Sequence, residues 1–301
     1  MKMTVSMLSG APRVSRSLGG ILIDSGLLRA EDAERVLLLQ KEQNLRFGEA
    51  AVRLGLLSEA DVQYALSRQF AYAYLRSGAG DRKPVSEELV AAYQPFSPRV
   101  EELRAIRSQL MLRWFDKVDQ RQVLTIVGAE RGEGRSHLAA NLAIVFSQLG
   151  ERTLLIDADL RNPRQHELFL LENKVGLSTV LSGRSREEAI VRIPDLAGLC
   201  VLPAGPVPPN PLELLNRLNF DEFMIQVKST FDIVIVDTPA LATGDDAAMI
   251  AVRMGAALAV ARGAQTRATA FAELVQGLMS SGVTVVGSVF NDVPASTTKA
   301  K

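Results

Sequence analysis

Seven consecutive residues, Glu130-Arg131-Gly132-Glu133-Gly134-Arg135-Ser136, bring together two glycines, basic side chains and a hydroxyl. Gly132 and Gly134 lack Cβ, so backbone N–H groups there can close around phosphate oxygens. From His137 to residue 149 the chain reads as a helix with Leu138, Leu142, Ile144 and Val145 apolar, and a helix N-terminus adds partial positive charge to such a loop. Ser136 is placed to bind Mg²⁺. Arg135 stands where a phosphate loop ordinarily carries Lys; its planar fork can grip two phosphate oxygens but needs more room than an ammonium. Phosphate binding is compatible with that exchange, and phosphoryl transfer is left open.

Two further stretches place carboxylates just past an apolar run: Leu155-Ile156-Asp157-Ala158-Asp159-Leu160-Arg161 and Val234-Ile235-Val236-Asp237-Thr238-Pro239. One Asp at a strand end usually serves a turn or a helix cap. Three at matching positions behind one phosphate loop point to a shared site, where they would hold Mg²⁺ and orient or deprotonate a nucleophile. The ligand expected there is ATP or a close analogue with Mg²⁺.

Such residues converge only if particular elements carry them. Apolar runs at 123–127, 153–156, 199–202, 233–236, 257–261 and 283–290 alternate with helical segments. Strands separated by helices need crossover connections, so a largely parallel, doubly wound α/β sheet is expected, covered on both faces. Ligands bind beyond the carboxyl ends of such strands, which is where the loop and Asp157, Asp159 and Asp237 would lie.

The N-terminal part repeats itself: Gly19, Gly26 and Gln40 recur as Gly48, Gly55 and Gln69, each 29 positions later. Each copy reads as a short apolar helix, a Gly-Leu-Leu turn and a second helix opening on acidic residues. The expected layout is a disordered N-terminus (1–14), a helical repeat domain (15–76), a linker (77–94), a phosphate-loop domain (95–292) that opens on a helix running to about residue 114, and a flexible tail (293–301).

Lys+Arg and Asp+Glu both number 34, so the net balance gives no reason to expect a nucleic-acid partner. The lone Cys200 lies in an apolar run and reads as a buried strand residue in a reducing compartment. With no signal-like N-terminus and no apolar run near the ~20 residues of a membrane span, the chain is expected in the cytoplasm, reaching a membrane through a partner.

The ordered set Gly132-Glu133-Gly134-Arg135-Ser136, the 155–161 stretch and the 234–239 stretch resembles the Walker A, A′ and B motifs of bacterial tyrosine kinases. Gly176-Leu177-Ser178, residues 208–215 and Gly287-Ser288-Val289-Phe290-Asn291 match as well. The likeness covers roughly residues 95–292 and is strongest to the chain-length-determinant (EpsG) type. It implies a P-loop tyrosine kinase or ATPase of exopolysaccharide synthesis that forms homo-oligomers and works with a membrane polysaccharide co-polymerase. It also implies that Asn291 sits near the adenine base. Glu101, Arg104 and Arg107 resemble the motif joining such domains into rings; three-residue spacing alone equally describes a solvated helical stripe. Glu130 stands where related partition ATPases carry a signature lysine.

The family usually ends in a tyrosine cluster, whereas the tyrosines here are Tyr64, Tyr72, Tyr74 and Tyr93. Tail autophosphorylation is therefore not expected of this chain. The repeats are similar to the cyclic di-GMP-binding N-terminal domain of type II secretion and pilus ATPases. That likeness implies Leu18, Gly19, Gly26, Gln40, Arg46, Gly48, Gly55 and Gln69 as contacts. The first copy has Ser17 in place of the second copy's Arg46, and a helical repeat that docks a partner is the alternative. For the whole chain the alternative to a kinase is a non-catalytic assembly regulator switched by nucleotide.

Overall fold

The computed structural model describes residues 17–69, 74–75, 83–115, 121–185, 187–194 and 196–292. The expectations for 1–14, for 293–301, for Tyr72 and for the Gly-rich start of the linker concern residues outside that set. The chain divides into two compact units at Gly78/Ala79.

Among the described residues the smaller unit contains four helices, α1 (Leu18–Asp24), α2 (Ala30–Gln43), α3 (Phe47–Arg53) and α4 (Glu59–Gln69). The repeat is visible in how its turns close. Gly26 and Gly55 take φ of +69° and +68°, and the amides of Leu27 and Leu56 reach back to the carbonyls of Leu22 and Ala51 at 2.9 and 3.1 Å. Glycine adopts this left-handed conformation without Cβ strain. Leu22, Leu28, Val36, Ala50, Ala51, Leu57 and Ala65 form the core. The first repeated glycine of each copy is fixed by packing. A Cβ on Gly19 would lie 3.2 Å from the Phe47 ring, and one on Gly48 would lie 2.5 Å from Val62 Cγ1. We therefore expect Gly48→Ala to destabilise this unit by about 1–3 kcal/mol through overpacking, read as a lower thermal midpoint of its helical signal. An unchanged midpoint would show that the glycine is kept for another reason.

Among the described residues the larger unit is built on seven strands: β1 (Val123–Gly128), β2 (Thr153–Asp157), β3 (Val191–Arg192), β4 (Leu199–Leu202), β5 (Ile233–Asp237), β6 (Ala256–Arg262) and β7 (Thr284–Asn291). Their order is β3-β4-β2-β5-β1-β6-β7, parallel except for β3, which pairs antiparallel with β4. The doubly wound parallel sheet expected from alternating strands and helices is present. The two-residue β3 was not foreseen, being too short to carry an alternation of its own. β1, β2 and β5 are buried along their whole length, as strands covered on both faces must be. Cys200 in β4 is half-buried and packs against the core beneath, rather than fully buried.

The linker expectation is corrected for residues 83–94. Val85, Leu89, Ala91, Ala92 and Tyr93 are buried, and α5 (Val90–Tyr93) lies on α7 (Arg135–Gln148). Ala91 N–H donates to Asn141 Oδ1 at 2.9 Å, and Gln148 Nε2 donates to the Ala91 carbonyl at 2.9 Å. Gly and charge suggested a break, but the apolar residues that come after them bury surface worth more than chain freedom. α6 (Pro98–Arg113) then packs on α7 as well.

Candidate active site

β1 delivers the chain into the glycine loop, and α7 leaves it with Gly134 as its left-handed N-cap at φ +93°. Gly132 has φ +80°. Both values lie where L side chains are strained, which explains two glycines in so short a turn. Ser136 occupies the first turn of α7. A cleft of about 230 Å³ opens above the loop, lined among others by Arg131, Gly134, Ser136, His137, Asp159 and Arg164. Loop, Ser136 and Asp159 therefore meet in one cavity.

The two strand-end aspartates lie beneath that cleft. Asp157 and Asp237 are register partners on adjacent strands, and both are fully buried. Asp157 Oδ1 accepts from Asp159 N at 3.2 Å, while Oδ2 accepts from Arg164 N at 3.0 Å and Gln165 N at 2.9 Å. Its carboxylate thus shapes the turn into helix α8 (Gln165–Leu168). Asp237 differs. Its Oδ2 accepts from Gln165 Nε2 at 2.7 Å, but Oδ1 is buried with no hydrogen-bond partner among the described residues. Burial, with the facing Asp237 charge next in weight, pushes the Asp157 carboxyl well above the usual range. Burial also raises Asp237, to about 6, against the downward pull of Gln165, Ser136 and Arg135. Asp159 Oδ1 accepts from Asn162 N at 2.8 Å and Arg161 N at 3.2 Å, an Asp-capped turn that also faces the cleft.

An orphaned, buried carboxylate oxygen beside a loop hydroxyl suits a divalent cation. No group of three or more His, Cys, Asp or Glu side chains among the described residues could hold a metal alone. That matches Mg²⁺, which keeps waters and takes substrate phosphate oxygens as ligands. Of the three residues expected to bind it, Ser136 and Asp237 fit; the oxygens of Asp157 are engaged by backbone amides.

Arg135 is only 8% exposed and turns under the loop. Nη1 donates to the Glu130 carbonyl at 2.5 Å and to Glu133 Oε2 at 3.2 Å, and Nε donates to the Thr238 carbonyl at 3.2 Å. Glu133 was expected as a cofactor-binding member of the loop, with no separate role for its side chain. Its side chain is fully buried and is the counter-charge of Arg135. His137 lines the cleft, and its ring is anchored outside the loop. Its Nε2 lies 2.9 Å from the Glu88 carbonyl, and burial lowers its pKa. Asn291 Nδ2 donates to the Glu133 carbonyl at 3.0 Å, which brings the end of β7 against the loop.

Several contributors escaped sequence reasoning. Gln165 Nε2 bridges Asp237 and the Ser136 carbonyl, the latter at 3.0 Å. Arg131 Nη2 donates to Asn162 Oδ1 at 2.7 Å, tying the loop to the turn after β2. Residues 262–267 brace the loop from behind. Nothing near these positions in the sequence marks them, because each acts through a partner 29 or more positions away.

The remaining expected residues lie elsewhere. Arg104 pairs with Glu101 on α6, and Arg107 Nη1 donates to the Val145 carbonyl of α7 at 2.9 Å. In the smaller unit Leu18 packs on the core, and the four glycines serve the turns and close contacts described above. The Gln40 carbonyl closes α2 by accepting from Leu45 N at 3.2 Å. Arg46 and Gln69 are exposed, and Arg46 N–H donates to Glu49 Oε2 at 3.0 Å.

Comparison with known proteins places this geometry. Residues 121–277 match the family model of the cellulose biosynthesis protein BcsQ. The tyrosine-protein kinase YwqD of Bacillus subtilis is 37% identical over 218 residues, covering 72% of this chain and 90% of that protein. The chain belongs to the bacterial tyrosine kinase family. Within it, the tyrosine-protein kinase Wzc of Salmonella typhi is 32% identical over 214 residues, 71% of this chain but 30% of that protein. The solved kinase domain of the Escherichia coli tyrosine kinase ETK superposes with a TM-score of 0.67 at 31% identity, covering 75% of this chain and 88% of that one. The ETK kinase domain thus shares the fold that carries the site. No helix among the described residues is long and apolar enough to cross a membrane.

Proposed function

We propose that this chain is a Mg²⁺·ATP-dependent tyrosine kinase or ATPase that regulates exopolysaccharide chain length and export. In this reading it lies in the cytoplasm and is recruited to the inner membrane by a polysaccharide co-polymerase. The observation that carries the chemistry is the unpartnered, buried Asp237 Oδ1 beside Ser136, directly under the glycine loop. Amides of residues 130–137 would take the phosphate oxygens. Ser136 and Asp237 would hold Mg²⁺, which supplies charge neutralisation at the transferring phosphate. Asp159, at the cleft surface, is the carboxylate with access to an incoming hydroxyl, and Asp157 keeps the turn that presents it. Family membership, the YwqD and ETK likenesses and the cellulose-synthesis family model support the biological setting.

In this reading the phosphoacceptor lies on another protein: of the described tyrosines, Tyr93 is buried with its hydroxyl donating to the Val85 carbonyl at 2.6 Å, Tyr74 is buried too, and Tyr64 is half-buried in the smaller unit. Incubating the full chain with labelled ATP, Mg²⁺ and the co-polymerase's cytoplasmic segment should yield phosphotyrosine on that segment. Its absence would remove the kinase assignment.

A nucleotide-switched assembly regulator is the second reading, favoured by the engagement of Arg135 Nη1 with Glu133 and the Glu130 carbonyl. It predicts tight Mg²⁺·ADP binding with no phosphotransfer. Appreciable turnover by the purified chain alone would count against it.

A further inference from the structure

The segment after β6 sends a row of side chains onto the back of the glycine loop. Arg262 Nη1 donates to the Gly132 carbonyl at 2.9 Å, and Gln265 Nε2 donates to the Arg131 carbonyl at 2.6 Å. Thr266 Oγ1 donates to Glu133 Oε1 at 2.7 Å, and Arg267 Nε pairs with Glu130 Oε1 at 3.1 Å. With Asn291 on the Glu133 carbonyl, three consecutive loop carbonyls, those of 131, 132 and 133, are each held by a side chain from residues 262–291.

In a trans peptide the carbonyl of one residue and the N–H of the next point in opposite directions. Fixing those three carbonyls therefore fixes the N–H groups of Gly132, Glu133 and Gly134 as a set. Successive amides held in common orientation form an anion-binding concavity. An unbraced glycine loop would have to order these peptide planes when the anion arrives, at a cost in backbone entropy.

Thr266 has a second task. Its hydroxyl also accepts from Arg262 N at 2.8 Å, so it is held in place while donating to Glu133. Glu133 in turn has both oxygens occupied, one by Thr266 and one by Arg135. The space for this buried triad is cut into the fold at Gly128. A Cβ there would run into Glu133 Oε2 and would come within 2.9 Å of Arg135 Nη1.

The geometry points to Thr266 and Gln265 as positioning residues: the 262–267 segment is a brace that pre-orients the phosphate-binding amides and, through Glu133, sets the guanidinium of Arg135. This inference rests on the proposed phosphate-binding role of the loop and adds the residues that tune it. They touch neither phosphate nor metal, so their effect should be on anion affinity.

The test uses the full chain and two probes, inorganic pyrophosphate and Mg²⁺·ADP, with affinities read by calorimetry and folding monitored by circular dichroism. Thr266→Val keeps the shape and removes the hydroxyl. It should weaken binding at least about tenfold, and Thr266→Ser should restore it to within about threefold of the parent. Gln265→Ala, an exposed position whose loss does not threaten folding, should weaken binding about threefold to tenfold. The brace is overturned if Gln265→Ala and a folded Thr266→Val bind like the parent, or if Thr266→Ser fails together with Thr266→Val. It is overturned as well if the parent binds neither probe. Should the parent bind pyrophosphate but not Mg²⁺·ADP, the adenine-nucleotide function falls while the brace is still read on pyrophosphate.

Discussion

Glu133→Ala is expected to destabilise the larger unit by about 3–5 kcal/mol, the usual consequence of leaving a buried charge without its partner. The guanidinium of Arg135 is 8% exposed and the Glu133 side chain is fully buried, so water cannot replace the lost carboxylate. Thr266 would lose its acceptor at the same time. Against a typical domain stability of about 5–15 kcal/mol, this is a large fraction. Adding Arg135→Met to Glu133→Ala should recover much of the loss, because the unpaired charge is then gone and an apolar side chain fills its place. Chemical denaturation of the single and double variants measures this coupling. If the two changes simply add, the ion pair is not what holds the underside of the loop.

Asp237→Asn should act in opposite directions on stability and on ligand response. Burial holds the Asp237 carboxyl at about 6 against an ordinary 3.8, so the folded protein binds this proton more tightly than the unfolded chain. Its contribution to stability is complete below the ordinary carboxylate range and is lost as pH rises through about 6. The amide never ionises, so the ligand-free variant should exceed the parent by on the order of 2 kcal/mol at pH 8, with the gap closing below pH about 4. The same change removes the anionic oxygen left without a partner. The rise in melting temperature that Mg²⁺ adds to ADP binding should therefore vanish. A variant that is less stable than the parent at pH 8, or that keeps the full Mg²⁺ effect, would sink the assignment of Asp237 as the cation-facing carboxylate.

Asp157 and Asp237 look alike in the sequence, each ending an apolar strand, and they differ in the path the chain takes beyond them. After Asp157 the chain curls back so that Arg164 and Gln165 bring their amides to its oxygens. After Asp237 comes Thr238-Pro239, which places no amide on Oδ1. The sequence therefore located both carboxylates but not the division of labour between them. Arg135 shows the same limit. Its place in the loop was legible, yet its direction depends on Glu133, Thr266 and the Thr238 carbonyl. Its closest acceptor in the chain lies two positions away and the furthest more than a hundred.

What the residues determined unaided was local and periodic. Glycines at positive φ, apolar runs of strand length, acidic strand ends and a 29-residue repeat each arise from the conformational rules of a few neighbouring residues. They sufficed for the parallel sheet, the phosphate loop and the repeat helices. Tertiary structure decided what required distant segments to meet: the packing of residues 83–94 on α7, the Glu133–Arg135 pair, the bridging role of Gln165 and the brace from 262–267. Hydrogen bonds and ion pairs between segments far apart in the chain depend on where the whole fold delivers their atoms, and neither residue type nor spacing records that distance.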